Sequence, residues 1–224
     1  MKFSLKIALP VISLLSAPLL AADIANAEWK RKIVHAHLQL YSESCIPTAV
    51  ELVLILAGRV PSSYYDLQRE WKNSKYGTFD IFVGRTIAGL TFHRNFWLPR
   101  CAMFPFKGLF SAIDAELNAG RFVIIGLRDD DESPFHAWVI VERLPDGEYL
   151  GFSKNGAETM EATDIRRRII SNGGTDFNSY TADEEPNKSP QRNAGAGRAI
   201  SDEASPSHRA LSSEKTACAQ SPRG

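Results

Sequence analysis

Cysteine is scarce in this chain, and charge of one sign does not accumulate. Three cysteines are too few for a disulfide-dense scaffold, and none stands in a Cys-x-x-Cys pair or a tight Cys/His cluster. His35-x-His37 is the one close histidine pair, with no third ligand beside it, so neither a metal nor any other cofactor is expected. Basic and acidic residues balance at 26 each, which leaves no footprint for nucleic acid. Arg166-Arg167-Arg168 is a short basic cluster, read as the wet side of a helix. Past the N-terminus no apolar run approaches the roughly 20 residues that cross a bilayer, so no stable membrane span is expected. No internal repeat is present.

The two ends read as something other than fold. Lys2 and Lys6 precede an apolar stretch from Ile7 to Ala22, and Ala25-Asn26-Ala27 offers small residues where a signal peptidase reads. Residues 1–27 are therefore expected to be a signal peptide, with cleavage after Ala22 as the alternative. The expected destination is outside the cytoplasm, either periplasmic or secreted. From Thr181 to Gly224, Ile200 and Leu211 are the only large aliphatics and no aromatic occurs. Such a polar tail buries too little surface to offset its ordering entropy and is expected to be disordered. Residues 28–180 remain as a single domain of ordinary size.

Within that domain, a leading helix is expected over Glu28–His37. A stronger one is expected over Thr48–Leu56, with Pro47 in its first turn and Gly58 as its stop. That helix is apolar on nearly every side, which is the pattern of a segment buried at the centre of a domain. Tyr64–Trp71 reads as a helix, Thr78–Val83 as a strand, and Arg85–Pro99 fits either. Gly108–Asn118 reads as a helix closed by Gly120, and Arg121–Gly126 as a buried strand. Strands over His136–Val141 and Glu148–Phe152, joined by Leu144-Pro145-Asp146-Gly147, form the clearest hairpin. Glu158–Ile169 reads as a closing helix. The class is α+β: a helical part packed against an antiparallel sheet, with a cleft between them.

The chemistry-bearing positions are Cys45, Gln39 and His136. Cys45 stands at the start of the apolar helix, where unpaired backbone N–H groups favour a thiolate. Gln39 precedes it by six residues, and His136 opens a hydrophobic strand far downstream. A thiol that attacks a carbonyl, an imidazole that moves the proton and an amide that steadies the oxyanion form one acyl-transfer set. Each residue also has a plainer reading: a structural or bonded cysteine, a strand-end histidine, an ordinary polar glutamine. A Cys101–Cys218 disulfide would leave Cys45 free, whereas a Cys45–Cys101 disulfide would silence it. The acidic run Asp129–Glu132 reads first as a solvated turn and second as an attraction for basic peptides.

The segments Gln39-Leu-Tyr-Ser-Glu-Ser-Cys45-Ile-Pro-Thr-Ala49, Leu117-Asn-Ala-Gly-Arg-Phe-Val-Ile-Ile125 and His136-Ala-Trp-Val-Ile-Val141 carry a resemblance. The region resembles papain-like cysteine peptidases, particularly the C39-like group related to bacteriocin-leader-processing peptidases. That resemblance implies a papain-like fold, Cys45 as nucleophile, His136 as base, Gln39 in the oxyanion hole, and a peptide or protein substrate. It departs in two places. Ile46 stands where glycine often follows the nucleophile, and Phe152-Ser-Lys-Asn155-Gly replaces the usual Asp or Asn after the histidine strand. Asn155 is the preferred orienter of His136, with Ser153 the alternative and a bare dyad the third reading. Hydrolysis of peptide bonds is the leading expectation. Thiol-dependent acyl transfer or amidase activity on the same fold, and an exported binding protein without turnover, are the alternatives.

Overall fold

The computed structural model describes residues 28–183 except 73, 75, 76 and 129–134. The expected signal peptide, most of the polar tail, Cys218 and the acidic run lie outside the described residues. Helix α1 spans 28–36. It is followed by α2 (Cys45–Leu56), α3 (Asp66–Trp71), a 3-10 turn (Phe79–Ile81), β1 (Thr86–Ile87) and β2 (Leu90–Phe96). Then come α4 (Phe106–Asn118), β3 (Val123–Leu127), β4 (His136–Arg143), β5 (Tyr149–Asn155), β6 (Glu158–Ala162), α5 (Ile165–Ser171) and β7 (Phe177–Ala182).

The class is α+β. One antiparallel sheet of seven strands runs β1-β2-β7-β3-β4-β5-β6. Its two faces bury different cores. Val50, Val53 and Leu54 of α2 pack with Phe92, Ile124, Val139, Phe152 and Tyr180 on one face. Leu109 and Ile113 of α4 and Ile165 and Ile169 of α5 pack with Ile125, Trp138, Ile140 and Phe177 on the other. The period of two sorts neighbouring residues of each strand between these cores. Ala137 and Val139 thus face α2, while Trp138 and Ile140 face α4. Helices therefore cover both faces of the sheet.

Helix α2 begins three residues earlier than its apolar pattern suggests, with Cys45 as its first residue. It ends at Ala57, and Gly58 follows in the left-handed region at φ +68, where a side chain would be strained. One charged residue sits inside this apolar helix. Glu51 is 0% exposed and accepts from the backbone N–H of Gln68 at 3.0 Å and from its Nε2 at 2.6 Å. It also pairs with Nε2 of the equally buried His37 at 3.0 Å. The His37 ring stacks on Tyr65 with 4.5 Å between centroids. Gln68 extends the network through Oε1, which accepts from Leu40 N–H at 2.7 Å and from Ser44 Oγ at 3.0 Å. Residues 37–44 are thereby fastened to α2 and α3, and Cys45 follows directly.

Three segments differ from their sequence patterns, and one that fitted either pattern is resolved. The expected strand at Thr78–Val83 is a 3-10 turn, with the Thr78 side chain accepting from Asp80 N–H. The ambiguous Arg85–Pro99 contains β1 and β2. Glu158–Ile169 splits into β6 and α5, because Glu158–Ala162 pairs along β5 and only Ile165 onward coils. Thr181 and Ala182, assigned to the tail by composition, complete β7 opposite Leu90 and Thr91. No described helix is long and apolar enough to cross a membrane.

Candidate functional site

Strand ends from four parts of the sheet converge on the N-terminus of α2 and enclose a cleft of about 530 Å³. Cys45 and Ile46 line it from the helix, and Phe135, His136 and Ala137 from the start of β4. Thr78–Asp80, Arg94, Trp97, Leu98, Arg100, Gly126, Asp176 just ahead of β7 and Asn178 within it form much of the remaining wall. Two residues far apart in sequence, Cys45 and His136, therefore share one cleft.

The thiol is half-buried and unbonded. Cys101 is in a disulfide, so a Cys45–Cys101 bond is excluded. Sγ lies 4.0 Å from the Phe135 carbonyl oxygen. The N–H of Ala137 lies on the opposite side of His136 in the chain and favours the thiolate, as do the N–H groups of Ile46 and Cys45 itself. The sulfur thus rests against the backbone that brackets His136. Burial outweighs these N–H groups and the net effect raises the thiol pKa, with Glu43 adding to the rise.

His136 Nδ1 is buried and has no hydrogen-bond partner among the described residues. Neither Asn155 nor Ser153 therefore holds that nitrogen. Asn155 is exposed at the end of β5 opposite Glu158 and outside the cleft lining. Ser153 is buried and donates to the Ala137 carbonyl at 2.8 Å. Gln39 also lies outside the cleft lining. Its Nε2 donates to the carbonyls of Tyr41 and Ser42, both at 2.9 Å, which uses both N–H bonds of the amide. In this conformation Gln39 fastens the turn ahead of α2 and has no donor left for an oxyanion.

Apart from Trp97, an aromatic that the sequence offered either to a groove or to the core, the rest of the cleft was not legible as a site in the sequence. Arg100 Nε donates to Gly174 O at 3.1 Å, and Nη2 to Gly126 O at 3.0 Å. Nη2 also approaches Asp176 Oδ1 at 3.4 Å. Its guanidinium and that of Arg128 flank the Phe135 ring, 3.9 and 4.1 Å from the centroid. Burial lowers the Arg100 pKa, Asp176 opposes the shift and Arg128 reinforces it. A Cβ on Gly126 would come within 2.9 Å of Asp176 Oδ1, so glycine there leaves room for the carboxylate against the strand. Near the cleft, Trp97 is 73% exposed, and the pairing of β2 with β7 is irregular between Arg94 and Phe96. Such bulges redirect neighbouring side chains. A signal that sequence reasoning missed was the polar Asn178 between Phe177 and Tyr180, at a position that faces inward only once the strand is paired.

Among the described residues no group of acidic, histidine and cysteine side chains has the geometry of a metal site. The side chains that bound the cleft can instead offer a sulfur nucleophile, an imidazole, two carboxylates, two guanidiniums and a buried amide. Comparisons with family models, with curated proteins and with solved structures find no match to this chain.

Proposed function

We propose that this protein is a cysteine-type peptidase of papain-like, C39-like character, exported from the cytoplasm, that cleaves a peptide or protein substrate in the cleft at the head of α2. The observation that carries the reading is the shared cleft: an unbonded Cys45 at a helix N-terminus and His136 at a strand start line the same cavity. In the proposed reaction the Cys45 proton passes to His136 and the sulfur attacks the carbonyl carbon, forming a C–S bond. Collapse of the tetrahedral adduct breaks the C–N bond, and the leaving amine takes the proton from His136. Water then adds to the thioester, delivers a proton through His136 to the sulfur and releases the acid. The N–H groups of Cys45 and Ile46, which already act on the sulfur, serve as the oxyanion donors in this reading, since Gln39 is engaged with Tyr41 and Ser42. Acyl transfer uses the same steps with an amine in place of water.

A binding protein without turnover is the second reading. Two observations favour it: burial raises the Cys45 pKa, and His136 Nδ1 has no hydrogen-bond partner among the described residues. The test is mass spectrometry after exposure to a peptidyl vinyl sulfone, beside hydrolysis of a mixed peptide pool. The peptidase reading expects one adduct on Cys45, new carboxyl termini in the pool, and loss of both in Cys45→Ala. Cleavage that persists in Cys45→Ala sends the activity elsewhere. An inert Cys45 with no cleavage leaves the binding protein.

A further inference from the structure

Two orphaned polar atoms belong to neighbouring residues that line the cleft. Arg94 of β2 and Asn178 of β7 are direct partners in the antiparallel register, and both line the cavity. Among the described residues Arg94 Nε is a buried donor with no hydrogen-bond partner, and Asn178 Oδ1 is a buried acceptor with none. Asn178 is 1% exposed, and its Nδ2 makes only a long contact of 3.5 Å to Ile124 O. Unmet buried polar atoms are rare in folded proteins because each forfeits its hydration, and where they occur a reason is to be sought. Here a donor and an acceptor stand side by side without satisfying each other.

We propose that Arg94 and Asn178 bind one peptide unit of the substrate, with Asn178 Oδ1 accepting its N–H and Arg94 Nε–H donating to its carbonyl. This rests on the reading of the cleft as a peptide site and assigns the residues that position the chain. A peptide unit carries one donor and one acceptor, which is the complement of the orphaned pair. An ester unit lacks the donor, so the pair selects amides. The surrounding wall of Ile46, Phe79, Trp97, Leu98 and Ile124 suits an apolar side chain on that substrate. Both polar atoms are buried in this conformation, and the rest of the Arg94 side chain is held at the cleft wall. Its Nη1 pairs with Asp80 Oδ1 at 2.6 Å, and its guanidinium lies 5.1 Å from the Trp97 ring centroid. Asp80 and Trp97 are both exposed, so these holds are weak and the arginine can swing to admit the peptide.

The test separates this assignment from the chemistry of Cys45. In a Cys45→Ala background, calorimetry would measure binding of acetyl-Ala-Leu-Ala-amide and of analogues N-methylated at one amide at a time. One N-methyl analogue is expected to bind roughly tenfold or more weakly than the parent peptide. Asn178→Leu should abolish that difference and weaken the parent, while melting no lower than the background, because it removes an unmet buried acceptor at similar volume. Arg94→Lys keeps the charge opposite Asp80 but loses Nε, and should also weaken the parent. The assignment is overturned if no peptide binds at millimolar concentration, if all analogues bind alike, or if Asn178→Leu binds as the background does. An unreactive Cys45 in the wild-type protein would instead remove the peptidase reading, and these binding outcomes would still stand.

Discussion

Replacing Glu51 by alanine should be among the most destabilising single changes in the described domain. The carboxylate is fully buried in α2 and accepts three hydrogen bonds, at 3.0, 2.6 and 3.0 Å, from Gln68 N–H, Gln68 Nε2 and His37 Nε2. Truncation leaves two of these donors with no other acceptor among the described contacts, because Gln68 Nε2 retains Leu38 O at 2.9 Å. An orphaned buried donor costs about 1–3 kcal/mol, so two of them cost about 2–6 kcal/mol. A loss of about 2–6 kcal/mol is therefore expected for Glu51→Ala, against a total of about 5–15 kcal/mol for an ordinary domain. Glu51→Gln keeps the shape and one acceptor oxygen but turns its amide N–H2 toward the other donor, and should lose less, about 1–3 kcal/mol for the one donor left unmet. Urea unfolding followed by the fluorescence of the buried Trp71 and Trp138 would measure both. Because the network anchors residues 37–44, Glu51→Ala should also raise the rate at which iodoacetamide alkylates Cys45 under native conditions. A loss below about 1 kcal/mol for alanine, or equal losses for alanine and glutamine, would refute the account of the network.

Four further outcomes follow from the structure. Burial raises the Cys45 pKa, so the pH midpoint of its alkylation should lie above that of an ordinary exposed cysteine; a rate that stays flat to acidic pH would instead indicate a thiolate–imidazolium pair. By linkage, the native state holds this proton at pH values where the unfolded chain has released it, so stability falls as pH rises through that window; Cys45→Ala should remove that part of the slope in alkaline urea titrations. Gly174→Ala should lose about 3 kcal/mol or more in unfolding experiments, because φ is +121 and the added Cβ would enter the Phe104 ring; an unchanged midpoint would disprove the contact. Gln39→Ala should lose about 2 kcal/mol through its two bonds to the turn; a fall in kcat without a fall in stability would restore Gln39 to the oxyanion hole.

Local pattern was enough for the elements that carry their own punctuation. Helix α2 has Pro47 and Gly58 at its ends, and the β4–β5 hairpin has Pro145-Asp146-Gly147 at its turn. Near-neighbour sterics and hydrophobic period decide such segments wherever they occur. Cys45 and His136 were legible as candidates for the same reason, since a helix start and a strand start are local properties. Their meeting in one cleft was not, because it depends on how α2 crosses the sheet.

Pairing between distant strands decided the rest. Glu158–Ala162 is a strand because β5 offers it a free edge, and Phe177–Ala182 is one because it fills the place between β2 and β3. Those two residues of the polar tail, Thr181 and Ala182, were claimed by the sheet for the same reason. Side-chain roles at the cleft were reassigned by competition for hydrogen bonds: the carbonyls of Tyr41 and Ser42 take the donors of Gln39, and Ala137 takes Ser153. Arg94 and Asn178 become neighbours only through a register that joins residues far apart in the chain. A residue's type and local spacing are written along the chain, whereas which polar atoms end up satisfied depends on the partners that folding brings to them.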